Sequence, residues 1–191
     1  MTTETQWWAN LTGDDIEINA YGWPPYRVSP VADFIQPTIK QGPVLDVGCG
    51  PGRLGQALAV QNPTVEFIGI DVSPRMVKMA NMVRPSNWEA SICDGLTIPI
   101  VGPIGSAYSV TVFQHITHSL VQSYVDQIHN LLVSGGEFIF TYAIGEEDTF
   151  LSHQATHDLA LSWLANAGFT EYERRDTPET LPAWNWAWGR K

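Results

Sequence analysis

Basic residues are scarce in this chain. Ten lysines and arginines stand against 20 aspartates and glutamates, for a formal net charge of −10 over 191 residues. A net negative field repels phosphate backbones and argues against nucleic-acid binding, although a local basic patch can override an average. Cysteine is scarcer still. Cys49 and Cys93 form no C-x-x-C pattern, which argues against a zinc ribbon or redox motif and for two reduced, buried thiols. No apolar stretch approaches the roughly 20 residues of a membrane span. The start of the chain, 1–6, is polar, carries no basic residue and leads into no apolar run, so it does not read as a signal peptide. Internal repeats, low-complexity tracts and linkers are also missing. The expectation is a soluble, cytoplasmic protein whose length suffices for one sizeable core and is short for two.

What is present centres on Val44-Leu45-Asp46-Val47-Gly48-Cys49-Gly50-Pro51-Gly52. An apolar β-type run breaks into glycines at alternate positions, and a helix-like segment follows. A strand that ends in such a turn and feeds a helix exposes backbone N–H groups to a ligand. From there the chain alternates. Strands are expected at 43–48, 64–70, near 88–93, 107–113 and 138–142. Helices are expected at 52–61, 74–83, 119–132 and 153–166, the last capped by Gly168. Ser134-Gly135-Gly136 reads as the turn before the fifth strand. Runs at 170–175 and 183–189 close the chain with only a short turn between them, which forces an antiparallel pair. The fold class is therefore α/β: a Rossmann-like, doubly wound, mostly parallel seven-stranded sheet with a C-terminal antiparallel hairpin. Residues 1–42 form an aromatic, partly helical leader and possible lid, and 43–191 form one structural unit. Within the leader, 31–40 has helical spacing interrupted by Pro37.

Asp71 points to a nucleoside-containing cofactor without separating a dinucleotide from other nucleosides, and three further features, Asp46, Asp94 and the glycine spacing, separate them. Asp71 ends the second strand, where a carboxylate accepts from both hydroxyls of a ribose. Asp46 precedes the first glycine, a position that repels a pyrophosphate and suits an amino group. Asp94 follows the third strand, placed to accept from an adenine amino group. The glycines at 48, 50 and 52 are spaced G-x-G-x-G and followed by Arg53. That spacing reads as distinct from the G-x-G-x-x-G of dinucleotide folds, whose last glycine serves helix–sheet packing.

On these residues the chain resembles the class I S-adenosylmethionine-dependent methyltransferases. The stretch 44–52 resembles the family's first motif. Gly69-Ile70-Asp71-Val72-Ser73-Pro74-Arg75-Met76 resembles the second and Cys93-Asp94-Gly95 the third. Val112-Phe113-Gln114-His115-Ile116 resembles the end of the fourth strand, and Leu131 to Gly136 the turn before the fifth. The resemblance covers about 43–191. It departs from the family at Gly105-Ser106-Ala107, which lacks an acidic residue, and at Ser134, where proline is common. It implies S-adenosylmethionine as cofactor, with S-adenosylhomocysteine as product. It also implies a cofactor site of Asp46, Gly48, Cys49, Gly50, Gly52, Arg53, Asp71, Val72, Met76, Asp94, Gly95 and Val110, and supports a leader that closes over it without fixing the residues, for which Tyr26 and Arg27 are the candidates.

The sulfonium is a good leaving group, so alignment and desolvation can supply most of the rate. His115 is a candidate base and Gln114 a companion; the plainer reading of His115 is packing or a backbone hydrogen bond. Tyr142 lines an acceptor pocket or belongs to the core. Tyr21, Trp23 and Tyr26 close a lid or cover a sheet edge. Trp23-Pro24-Pro25-Tyr26 resembles an amino-group clamp, but its first residue cannot accept a hydrogen bond as an amide does. His153 and His157 have helix-face spacing for a metal, with exposed helix-start histidines as the plainer reading and no metal expected. Trp184, Trp186 and Trp188 alternate and should share one sheet face against a helix. The preferred function is methyl transfer to a small-molecule acceptor by a monomer or homodimer, without membrane or nucleic-acid partners. A protein or RNA methyltransferase and a non-catalytic cofactor-binding subunit are the alternatives.

Overall fold

The four residues of β1 (Val44–Val47) are all buried, the pattern of a strand covered on both faces. The computed structural model describes residues 3–10, 28–145, 147–150, 152–177 and 184–191. The remaining elements are α1 (Glu4–Ala9), α2 (Val28–Ile35), α3 (Arg53–Gln61), β2 (Phe67–Asp71), α4 (Pro74–Ala80), β3 (Trp88–Ile92), β4 (Ile104–Ser109), α5 (His118–Leu131), β5 (Leu132–Tyr142), α6 (His157–Ala167), β6 (Glu171–Arg175) and β7 (Asn185–Arg190). The strands form one seven-stranded sheet in the order β3-β2-β1-β4-β5-β7-β6. The first five strands run parallel. β7 is antiparallel to both β5 and β6, so the terminal hairpin completes the sheet as expected.

Helices cover both faces. Val31, Ala32 and Ile35 of α2 pack with Leu58 of α3, Val77 of α4 and Trp186 in one core cluster. Val125 and Ile128 of α5 pack with Ala160 and Leu164 of α6 in the other. Helix α2 thus belongs to the face of the sheet, although it lies within the stretch expected as a leader. Trp186 and Trp188 share that face, as their alternation requires.

Three boundaries differ from expectation for physical reasons. The fourth strand was expected to reach 113 but ends at Ser109. Thr111 has φ 59, left-handed for a β-branched residue, and its N–H is taken by the Thr141 hydroxyl at 2.7 Å. The chain then coils into a short 3₁₀ turn, Phe113–His115. Ser134-Gly135-Gly136 is not a turn before β5 but an irregularity inside it, where the register to β4 shifts between Ile104 and Ser106. The C-terminus holds it, through Gly135 N to Lys191 O at 2.9 Å and Lys191 N to Gly136 O at 3.0 Å. Helix α6 begins at His157, because the Thr156 hydroxyl caps Leu159 N at 3.1 Å. His153 therefore precedes the helix, and no helix face joins it to His157. Gly168 ends α6 in the left-handed conformation, as predicted.

Candidate functional site

The strand order reverses between β1 and β4, and crevices at such switch points hold ligands at the carboxyl ends of strands. A cavity of about 460 Å³ opens there. Its floor is the run from Asp46 to Pro51. One side holds Asp71, Val72 and Met76, with Cys93 and Gly95 from the end of β3 beside them. The other holds Val110, Gln114 and His115 past the end of β4. The fold thus gathers most of the residues singled out by sequence at one edge of the sheet.

Asp71 anchors the geometry. One carboxylate oxygen accepts from Gly50 N at 2.9 Å and the other from Ser73 N at 2.8 Å. Ser73 in turn caps α4 by accepting from Met76 N. Burial raises the Asp71 pKa above its ordinary value, and the N–H groups of Ser73, Gly50 and Val72 oppose that rise. Each oxygen keeps acceptor capacity beyond the bond it makes, enough for a ribose diol.

Asp46 is only 4% exposed. Burial, reinforced by the nearby Asp71 charge, raises its pKa to about 8 from 3.8. The Tyr108 hydroxyl beside it partly offsets this, without forming a hydrogen bond of normal geometry. A neutral carboxyl at pH 7 becomes charged when a cation settles against it. The sign for stability follows from linkage. The folded carboxyl holds its proton to higher pH than the unfolded one, so this stabilising contribution is full below about pH 4 and is lost as pH rises through about 8. Binding of an ammonium-bearing ligand is therefore expected to release close to one proton at pH 7. Affinity should rise by up to about tenfold per unit between pH 6 and 8 and then level. Titration calorimetry in buffers of different ionisation enthalpy measures the release, and Asp46→Asn should abolish it.

Two residues expected at the cofactor serve elsewhere. Gly52 does not line the cavity. A Cβ there would meet Ala80 and the Trp88 ring at 3.0 and 3.2 Å, so it is a packing glycine. Gly55 stands closer still to the same indole, and Gly50-Pro51-Gly52-Arg53-Leu54-Gly55 has the G-x-G-x-x-G spacing that the earlier glycines obscured. The spacing therefore does not separate cofactors; the carboxylates do. Asp94 also misses the cavity wall. Its carboxylate accepts from Leu96 N, Thr97 N and the Thr97 hydroxyl at 2.7–2.9 Å, closing its own turn. Those bonds hold its pKa below the ordinary value. Cys93 and Gly95 form that part of the wall instead.

Other candidates resolve differently. Tyr142 is core, its hydroxyl 2.6 Å from His157 Nδ1. His153 is not an exposed helix-start residue. It lies between Glu4 and Asp148, 3.4 Å from each carboxylate, and no group suited to a metal occurs among the described residues. Tyr21, Trp23, Tyr26 and Arg27 lie outside the described residues. Sequence reading missed Thr5 and Trp8 of α1, and Trp184 beyond the hairpin turn, all of which line the cavity. The Trp8 ring lies 4.7 Å from that of His115. The cue available in sequence was the Trp7-Trp8 pair, unusual in a polar extension.

The fit to a nucleoside cofactor can be tested at Gly50. Its φ is +53, and a Cβ built there would meet nothing within 4 Å. Bare backbone thus faces the cavity beside Asp71, with the carboxyl groups of Asp46 and Asp71 lining the same cavity. Fold and site together define a Rossmann-like protein for a phosphate-free, cationic nucleoside. The chain is similar to the class I S-adenosylmethionine-dependent methyltransferases, whose cofactor is S-adenosylmethionine. Residues 44–136 match the methyltransferase domain family. The ribosomal RNA small subunit methyltransferase C of Pseudoalteromonas translucida is 42% identical over 64 residues, 32% of this chain and 19% of that protein. The trans-aconitate 2-methyltransferase of Afipia carboxidovorans is 29% identical over 100 residues, 50% of this chain and 38% of that protein. The matched segments thus span well under half of these curated relatives. The magnesium protoporphyrin IX methyltransferase of Synechocystis, solved with S-adenosylmethionine bound, superposes with a TM-score of 0.72 at 16% identity, covering 98% of this chain and 94% of that one. No helix among the described residues is long and apolar enough to cross a membrane.

Proposed function

We propose that this protein transfers a methyl group to a small-molecule acceptor by in-line displacement, with proximity and desolvation as the main sources of rate. The observation that carries this reading is a single cavity whose wall runs from Asp71, through the glycine turn, to Gln114 and His115. Bound S-adenosylmethionine supplies an electrophilic methyl on a sulfonium leaving group. Asp71 holds the ribose hydroxyls, Asp46 faces the amino group, and the backbone at Gly48 and Gly50 forms the bed. Cys49, Arg53, Val72, Met76, Gly95 and Val110 complete the cofactor wall. His115 takes the acceptor's proton where the acceptor still carries one, and Gln114 orients it. Helix α1 reaches the cavity through Thr5, beside Gly95, and Trp8, beside His115.

Two features favour a small acceptor. The net charge is −10, and the site is a cavity of about 460 Å³ at the strand ends. The protein would act in the cytoplasm as a monomer or homodimer. A screen with radiolabelled methyl donor against metabolite pools, RNA and peptides tests the reading. Label should pass to metabolites alone. Transfer to RNA or peptide would make it a macromolecule methyltransferase, and binding without any transfer would make it a non-catalytic subunit.

A further inference from the structure

The chain just past β4 is bent against its own preference. Thr111 has φ 59, a left-handed conformation that a β-branched side chain disfavours. Its N–H donates to the Thr141 hydroxyl at 2.7 Å, and its own hydroxyl donates to Val110 O at 2.7 Å. Thr141 is 1% exposed, lies near the end of β5 and does not line the cavity. A strained residue persists where its surroundings hold it, and here the holding group is a buried hydroxyl on the neighbouring strand.

The bend shapes one wall of the cavity. Val110, Thr111, Val112, Gln114, His115 and Ile116 all line it. Val112 lies on the bare backbone of Gly48, where a Cβ built on the glycine would stand 2.3 Å from Val112 Cγ2. Val112 O then accepts from His115 N at 2.8 Å, closing the 3₁₀ turn, and Gln114 O accepts from His153 N at 2.7 Å. An extended Thr111 would lift Val112 off Gly48 and carry the turn with it. The two backbone states therefore differ in where this wall stands against the glycine turn.

We propose that the Thr141 hydroxyl is a latch that holds Thr111 left-handed and so keeps Val112 seated on Gly48, in the arrangement that binds the cofactor. Thr141 is thereby a positioning residue that acts through Thr111 and touches no ligand. The proposal rests on the reading of the cavity as a site for S-adenosylmethionine. Without the latch, strain returns Thr111 to extended backbone. The binding arrangement becomes a minor population, and apparent affinity falls by that fraction.

Calorimetric titration with S-adenosylhomocysteine, paired with amide hydrogen exchange of the ligand-free protein, tests this. Thr141→Val keeps the side chain's shape and removes its hydroxyl. It should weaken binding about tenfold and speed exchange of the His115 amide by a similar factor. Thr141→Ser keeps the hydroxyl and should match the wild type. Glycine adopts the left-handed conformation without strain, so Thr111→Gly added to Thr141→Val should recover both readouts. An unchanged Kd in Thr141→Val would overturn the proposal. So would a loss that Thr111→Gly does not recover, since a glycine does not repair ordinary packing damage. Thr111→Gly alone should melt at or above the wild-type temperature, and a lower one would also overturn the proposal; this variant decides the matter if Thr141→Val fails to fold. A wild-type protein that binds no S-adenosylhomocysteine would remove the cofactor reading, and exchange of the His115 amide would then decide the latch alone.

Discussion

Asp71→Ala should lower affinity for S-adenosylmethionine and S-adenosylhomocysteine by about 10²- to 10⁴-fold while leaving the protein folded. The size follows from what the carboxylate does. Two charge-assisted hydrogen bonds to a ribose diol are worth about 1.5–3 kcal/mol each. Their loss, at about 1.4 kcal/mol per factor of ten, gives that range. A second effect adds to it. The same carboxylate holds Gly50 N at 2.9 Å and Ser73 N at 2.8 Å, so the glycine turn loses its tie to β2. Asp71→Asn separates the two contributions. An amide accepts through one oxygen only, so it keeps at most one of these ties and part of the affinity. Calorimetric titration of the three proteins is the measurement, with melting temperature as the control for folding. Unchanged affinity in Asp71→Ala would remove Asp71 from the cofactor site.

Gly55→Ala should damage the fold and leave the site chemistry alone. Gly55 lies inside α3, where alanine normally gains about 1 kcal/mol over glycine. Here the added Cβ would stand 1.9 Å from the Trp88 ring, and Trp88 is 1% exposed with Gly52 and Gly69 also against it. The ring has nowhere to go, so helix and strand must separate. Overpacking of this kind costs about 1–3 kcal/mol and occasionally more. After the helix gain, a net loss of up to about 2 kcal/mol lowers the melting temperature by up to about 8 °C in a chain of this size. Gly50→Ala makes the opposite case. It meets nothing within 4 Å, so its cost to the fold is only the left-handed backbone, about 1–2 kcal/mol. Its methyl group enters the cavity, and cofactor affinity should fall. Trp88→Leu should rescue Gly55→Ala but not Gly50→Ala.

The parallel core of this fold was legible because strands buried on both faces read as apolar runs and glycine turns punctuate them. Asp71 was legible because the end of β2 places it beside the glycine turn whatever the side chains elsewhere do. Most of the misses share a cause, a partner distant in sequence; Asp94 is the exception. The role of Gly55 is set by Trp88, 33 residues on, and nothing local marks it. β4 stops early because Thr141, on another strand, takes the Thr111 N–H. Asp94 looked free to face a ligand, but the N–H groups of Leu96 and Thr97 claim it, a local Asx-type turn that its own sequence permits. Trp8 and Trp184 reach the cavity from the two ends of the chain, which periodicity within either segment does not reveal.

The carboxyl groups of Asp46 and Asp71 beside the glycine turn are the centre of this account. Titration of the wild-type protein with S-adenosylhomocysteine and, separately, with NADH tests it most directly. The expected result is one site for S-adenosylhomocysteine and no measurable binding of NADH, since a pyrophosphate at the glycine turn would meet the Asp71 carboxylate and hold Asp46 in its uncharged form. Binding of NADH with comparable affinity, or no heat from S-adenosylhomocysteine at millimolar concentration, would contradict it.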